Sequence, residues 1–350
     1  MTASVTVVGG GYGGITAAKA LDGVAEVTLV EPRDTFVHNV ATLRAVVDPA
    51  WAERLFIPYE NLLTHGRIRR DRAAGLSGST VELASGARLT SDYVILATGS
   101  RHTYPAKLDV TDAISARAKL WATHDALSRA GHVLLLGAGP VGLEFAGEIK
   151  AAWPDKRVTI ADPSPDLLSA RFPADFHAEL RTQLAAMGID LLLGTTLGDL
   201  PPDGPFTVTT STGDRLTADI WFACYGATPN TGYLATGDRH LTVTRELRLP
   251  GHDNVFAIGD ITAVPELKMA RLAQQHAEVT AANITALIEG RTDLTAYRPA
   301  EDAIVLPLGP HGGVSYSPEA GVLGAEVTAG IKSNLYLDMY LDLLGAGVAR

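Results

Sequence analysis

The chain has 350 residues, 46% hydrophobic and 19% charged, with a mean hydropathy of +0.12; that length suits two or three folded domains, and no run nears the roughly 18 apolar residues of a membrane-crossing helix. A formal net charge of −10 argues against an electrostatic grip on nucleic acid, which depends on clustered Lys and Arg displacing counterions from phosphates. The single cysteine, Cys224, excludes an intramolecular disulfide, a CxxC redox pair and a cysteine-rich zinc site, so redox chemistry here needs a borrowed cofactor.

A strand-like run begins at Ser4, which leaves no room for a secretory signal and makes the cytoplasm the expected location. The strand ends at Val8 and is followed by Gly9-Gly10-Gly11-Tyr12-Gly13-Gly14 and a helix rich in small residues. This is G-x-G-x-x-G in its required context of strand, tight turn and helix. Gly9 permits the turn, Gly11 leaves room for a pyrophosphate, and Gly14 lets the helix lie close to the sheet. The free N–H groups of that helix then face the phosphates. A second strand, Glu26 to Val30, delivers Glu31, placed to accept hydrogen bonds from ribose hydroxyls.

Further along, Asp92 to Leu96 is an apolar strand that leads into Ala97-Thr98-Gly99. The nucleotide unit then recurs. His132 to Leu136 leads into Gly137-Ala138-Gly139-Pro140-Val141-Gly142, a helix runs to Ala152, and Arg157 to Ala161 ends at Asp162. Two such sites imply two dinucleotides. Asp162 would repel the 2′-phosphate of NADP and bond a free 2′-hydroxyl, so NADH is favoured over NADPH, with Arg171 downstream as a softening influence. Pro201 to Pro205 reads as a loop inside the second unit, and Ile220 to Gly226 as another strand with a glycine end. Asn254 to Asp260 is a strand that delivers a carboxylate where Asp260 could accept from the ribitol hydroxyls of FAD. Glu266 to Ile288 reads as a helix, Ala303 to Leu306 as a strand, and Lys332 to Leu344 as an amphipathic helix with an acidic polar face. That face disfavours strong binding to anionic lipid; flavin cover, a homodimer contact and peripheral membrane contact stay open.

The order of these segments resembles the pyridine nucleotide-disulfide oxidoreductase superfamily with its paired FAD and NAD(P)H domains. Asp34 to Arg44, Phe56 to Tyr59, Gly142 to Lys150, Gly251 to Asn254 and Lys268 to Ala270 are similar to the apoptosis-inducing-factor-like, mitochondrion-associated 2 (ferroptosis suppressor) family. The resemblance implies an α/β fold of two Rossmann-like domains with parallel sheets and a smaller α+β C-terminal domain. The FAD domain is expected at residues 1–112 and 243–290, the NAD(P)H domain at 113–242 and a cap at 291–350. The same likeness implies hydride transfer from NADH to flavin and then to a quinone-type acceptor.

Carried over, the resemblance puts Gly9 to Gly13, Arg44 and Asp260 on FAD, His38 and Asn39 on the segment along the flavin, and position 72, here Arg72, at the adenine end through its backbone. Glu144 falls beneath the nicotinamide, while spacing alone fits an exposed helix-face acid equally well. The helix from Glu266 would aim its positive end at the reduced flavin, with Lys268 in its first turns or as a solvated lysine. Gln274 and His276 are the candidates for the acceptor site. No histidine spacing supports a metal. Family members in animals carry a myristoylation glycine where this chain has Thr2, so that anchor is not expected. Cys224, in an apolar strand, reads as a core residue, which sets aside the cysteine-using relatives. A ferredoxin or rubredoxin reductase and an NADH-sensing interaction protein are the other readings; the acidic chain weighs against the former.

Overall fold

The computed structural model describes residues 2–201, 204–235 and 237–347, the side chains of 169 and 170 apart. Two parallel sheets form its centre. The first runs in the order Val255–Ala257, Tyr93–Leu96, Ser4–Val8, Glu26–Val30, Arg67–Arg69. The second runs Ile189–Leu193, Arg157–Asp162, His132–Leu136, Ile220–Ala223. Parallel strands need crossover connections and are covered on both faces, which is why they read as unbroken apolar runs. Val5, Val7, Val27 and Leu29 are buried in the first sheet, and Val133, Leu134 and Leu135 in the second.

The strand Val255–Ala257 joins the first sheet only after the whole second sheet has been completed, so the chain passes between the two units twice. At the crossing, Ser100–Arg101 pairs antiparallel with Thr228–Pro229. Asn230 fastens this ribbon to the first sheet. Its backbone N–H donates to Gly99 O and its Nδ2 to Thr98 O, both at 2.8 Å, while Thr98 Oγ1 donates to Asn230 O at 2.8 Å. Residues 202 and 203 of the proline-rich loop lie outside the described residues.

The C-terminal part forms an antiparallel sheet, Ile304–Leu308, Gly312–Ser317 and Gly321–Leu323, followed by helices Ala325–Ile331 and Leu337–Leu343. The single helix expected over 332–344 is therefore shorter and preceded by another. Leu335 and Tyr336 break it, with φ of +52° and +64°. Two local bonds fit the break: Asn334 Oδ1 accepts from Tyr336 N at 3.0 Å, and Asn334 Nδ2 donates to Asp338 Oδ2 at 2.7 Å. The final helix lays Leu337, Tyr340 and Leu344 on the core of the first unit, where Tyr340 stacks on Phe36 at 5.7 Å. Each such buried side chain is worth about 1.5–3 kcal/mol, enough to hold the tail down.

The helix expected from Glu266 starts instead at Ala270 and runs to Ile288. Met269 is extended, with φ −135° and ψ 152°, and Glu266 is buried with polar partners of its own. Lys268 thus precedes the helix, and its Nζ turns back to donate to Val264 O at 2.8 Å.

Candidate functional site

The two glycine loops have the same local design. Gly9 has φ +106°, and a Cβ on it would lie 2.5 Å from Ala97 O; one on Gly14 would lie 1.8 Å from Gly9 O. These two positions exclude side chains because of the fold itself. Gly11 and Gly139 differ: they precede the helices Tyr12–Leu21 and Pro140–Ala152 with ordinary extended angles, and an added Cβ meets nothing within 4 Å. The open space at each helix N-terminus fits a pyrophosphate.

Both strand-end acids are anchored alike. Glu31 Oε2 accepts from Gly10 N at 2.6 Å and Oε1 from Arg33 N at 3.0 Å. Asp162 Oδ2 accepts from Ala138 N and Oδ1 from Ser164 N, each at 2.7 Å. A carboxylate has about four acceptor sites, so each acid keeps capacity for ribose hydroxyls. Gly137 and Gly142 repeat the roles of Gly9 and Gly14, with φ +114° at Gly137 and a Cβ on Gly142 only 2.0 Å from Gly137 O.

A cavity of about 930 Å³ joins the second loop to the first unit and the cap. Gly139, Pro140, Val141, Glu144 and Asp162 line it on one side, Asn39, Lys268 and Gln274 on the other, and Lys332, Tyr336, Met339 and Tyr340 close it. Asn39 Nδ2 donates to Val37 O at 3.2 Å, but its buried Oδ1 has no protein partner. An orphaned acceptor on the expected flavin segment fits a ligand group that donates there. Gln274 is oriented from above, its Oε1 accepting from Tyr340 Oη at 3.0 Å.

Burial raises the Glu144 carboxyl, partly offset by the Lys332 ammonium 3.8 Å away. Burial likewise lowers the Lys268 ammonium. The cavity therefore brings a reluctant acid, Glu144, together with the cationic side chains of Arg171, Lys268, Arg271 and Lys332.

Other expected residues lie elsewhere. Asp260 sits at the end of the first sheet, where its Oδ2 accepts from Ser100 Oγ at 2.5 Å and from Lys107 Nζ at 3.3 Å. Gly99 and Gly226 take left-handed angles at the inter-unit ribbon, φ +62° and +93°. Arg72 is exposed, and its backbone is paired, N–H to Asp71 Oδ1 and C=O to Ala84 N. Gly13 lies against the helix Ala270–Ile288, where a Cβ would be 2.9 Å from Ala273 O. Tyr12 Oη accepts from Val40 N at 3.0 Å.

Arg44 is not free to meet a cofactor with its Nε and one terminal nitrogen. Both are spent on Glu148 at 2.8–3.1 Å, in a buried pair that ties the helix Thr42–Val47 to Pro140–Ala152. His276 is 1% exposed and makes its bonds inside the protein, which does not suit an acceptor-contacting group. His38 is equally buried: Nε2 donates to Leu335 O at 2.9 Å, and Nδ1 faces Tyr12 Oη at 3.3 Å. Burial lowers His38 to about 4. Cys224 is buried in the core and pushed up to about 12. Sequence reading missed Lys107, Glu266, Lys332 and Tyr340 as site residues. Lys107 is 153 positions from Asp260, and no spacing rule links them.

Among the described residues no helix is long and apolar enough to cross a membrane, and no group of His, Cys, Asp and Glu could hold a metal ion. The pyridine nucleotide-disulphide oxidoreductase family model matches residues 3–277. Ferroptosis suppressor protein 1 of Homo sapiens is 32% identical, over 89% of this chain and 87% of that protein. Apoptosis-inducing factor homolog B of Dictyostelium discoideum is 28% identical over 97% and 96%. The sulfide:quinone oxidoreductase of Aquifex aeolicus shares the fold, with a TM-score of 0.77 at 18% identity over 99% of this chain and 93% of that one.

Proposed function

The chain belongs to the pyridine nucleotide-disulphide oxidoreductase family, in the group of ferroptosis suppressor proteins and apoptosis-inducing factor homologues, and from that premise we propose that it passes electrons from NADH through FAD to a quinone-type acceptor. It is an oxidoreductase that uses FAD and NAD(P)H; NADH as donor and a quinone as acceptor are the proposed parts. The observation that carries the reading is the cavity of about 930 Å³, in which the second nucleotide loop, the expected flavin segment and the cap meet. Its size suits a small molecule, since such sites run to about 300–1,000 Å³.

Bound flavin supplies the hydride-accepting and electron-donating chemistry, and the protein supplies binding, orientation and charge. In the proposed assignment the Gly9 to Gly14 loop and Glu31 hold FAD by its pyrophosphate and ribose, with Asp260 on the ribitol. Gly137 to Gly142 and Asp162 hold NADH, and the Asp162 carboxylate disfavours a 2′-phosphate by charge repulsion. Glu144 would lie beneath the nicotinamide, with the Lys332 ammonium 3.8 Å from its carboxyl. Lys268 offers positive charge near the flavin, and Gln274, fixed by Tyr340, offers its amide to the acceptor. Ile331 and Met339 are both exposed and cavity-lining, which favours entry of an apolar acceptor past the cap. Cys224 has no second cysteine to form a dithiol relay, which favours direct transfer to the acceptor.

Anaerobic stopped-flow spectroscopy tests this. NADH is expected to bleach the flavin at least about ten-fold more efficiently than NADPH, and a quinone is expected to restore the colour within turnover time. Equal rates with both donors would remove the NADH assignment, and slow reoxidation by every quinone would remove the acceptor assignment.

A further inference from the structure

We propose that the buried pair Glu266 and His276 is a positioning device for the Gly259–Asp260 turn, acting by fixing which imidazole nitrogen carries the proton. The inference rests on the reading that Asp260 faces FAD.

The strand Val255–Ala257 ends in the turn Gly259–Ile261, where Gly259 takes φ +70°. The backbone N–H of Gly259 donates to His276 Nδ1 at 3.0 Å. A ring nitrogen that accepts carries no proton, so the proton of the neutral ring resides on Nε2. Nε2 faces Glu266 Oε1 at 2.9 Å, and the two side chains are 1% and 2% exposed. Glu266 is fixed in turn, because its Oε2 accepts from Tyr297 Oη at 2.7 Å and from Ala300 N at 2.9 Å. Burial would raise the Glu266 carboxyl, but His276, Ala300 and Tyr297 outweigh it and hold it below its ordinary value.

The result is a directional chain of three hydrogen bonds and one close contact: His276 Nε2 lies 2.9 Å from Glu266 Oε1 but is not aligned with it as a hydrogen bond. The series runs from the segment Tyr297–Ala300 through a carboxylate and an imidazole to the residue beside Asp260. Every polar atom in it has one correct role, and reversing any one of them sets two donors or two acceptors face to face in a buried site. His276 is not among the residues that line the cavity, and its contribution passes through the backbone of Gly259.

This chemistry predicts different outcomes for near-isosteric variants. In Glu266→Gln the amide oxygen goes to Tyr297 and Ala300, and the amide NH₂ turns to His276. The ring must then move its proton to Nδ1 and lose the Gly259 bond. His276→Asn places an amide oxygen close to the Nδ1 position and keeps that bond; His276→Gln keeps only the donor toward Glu266.

The test measures FAD release from the purified holoenzymes, together with the ¹⁵N signals of the His276 ring. Release is expected to quicken at least about ten-fold in Glu266→Gln and His276→Gln and to stay near wild type in His276→Asn. The wild-type ring is expected to show a bare Nδ1, and Glu266→Gln a protonated one. Equal release from His276→Asn and His276→Gln would overturn the proposal, as would an unchanged tautomer and release in Glu266→Gln. Asp260→Ala separates the two readings. If it retains FAD like wild type, the flavin role of the turn fails; if it loosens FAD while Glu266→Gln and His276→Gln do not, only the positioning role fails.

Discussion

Glycines within one motif differ in what they are for, and the difference is measurable. A side chain at Gly9 or Gly14 collides with main chain, so substitution there damages the fold. At Gly139 the backbone angles are ordinary and the space is open, so the cost of a side chain falls on the ligand alone. Gly139→Val is therefore expected to purify yellow and with an unchanged Tm, while NADH binding weakens at least about ten-fold, about 1.4 kcal/mol; a titration followed by flavin reduction checks it. His38 gives a second residue-scale outcome. Its ring is buried, and its folded value of about 4 lies below the ordinary 6.5. As pH falls below 6.5 the unfolded chain takes up a proton that the folded protein refuses until about 4. This contribution is fully present above pH 6.5 and is lost toward pH 4, to a total of about 3 kcal/mol. Urea unfolding at neutral and acid pH is expected to show a smaller pH difference in His38→Gln than in wild type.

At the scale of elements, the helix Thr42–Val47 is joined to Pro140–Ala152 by the Arg44–Glu148 pair, and the side chains of both residues are almost entirely buried. Removing one partner leaves a buried charge alone. Arg44→Met is expected to cost about 3–5 kcal/mol, whereas Arg44→Met with Glu148→Met recovers most of it, because an apolar pair of similar volume replaces a desolvated ion pair. Chemical denaturation of the three proteins checks this. If Arg44→Met loosened FAD without loss of stability, the arginine would belong to the cofactor after all. The motif segment Asp34 to Arg44 pointed to this residue, but spacing could not show its partner, which is 104 positions away. The tail is a similar case. Leu335, Tyr336, Met339 and Tyr340 fall near helical spacing, yet the carbonyl of Leu335 is taken by His38 and the helix starts only at Leu337.

For the whole molecule, charge separates the acceptor classes. With a net charge of −10, the protein repels anionic acceptors and is indifferent to neutral quinones. Raising salt from about 10 mM to about 150 mM shortens the Debye length from about 30 Å to about 8 Å. Ferricyanide reduction is therefore expected to quicken a few-fold over that range, and reduction of a neutral quinone to stay flat. A ferricyanide rate that falls with salt would mean a local positive field at the site that outweighs the chain as a whole.

Local features of the sequence determined both glycine loops, the strands that feed them, the acids that end those strands and the isolation of Cys224. These depend on neighbours within one strand, turn or helix, where periodicity and backbone geometry act over a few residues. The start of the helix at Ala270, the break before Leu337 and the partners of Arg44, His38 and Asp260 were decided only in the folded chain. Each of these depends on which buried polar group finds which partner across the fold. His276 shows the division most plainly: the resemblance made it a candidate for the acceptor site, but the folded chain buries it, with the N–H of Gly259 and the carboxylate of Glu266 facing its two nitrogens.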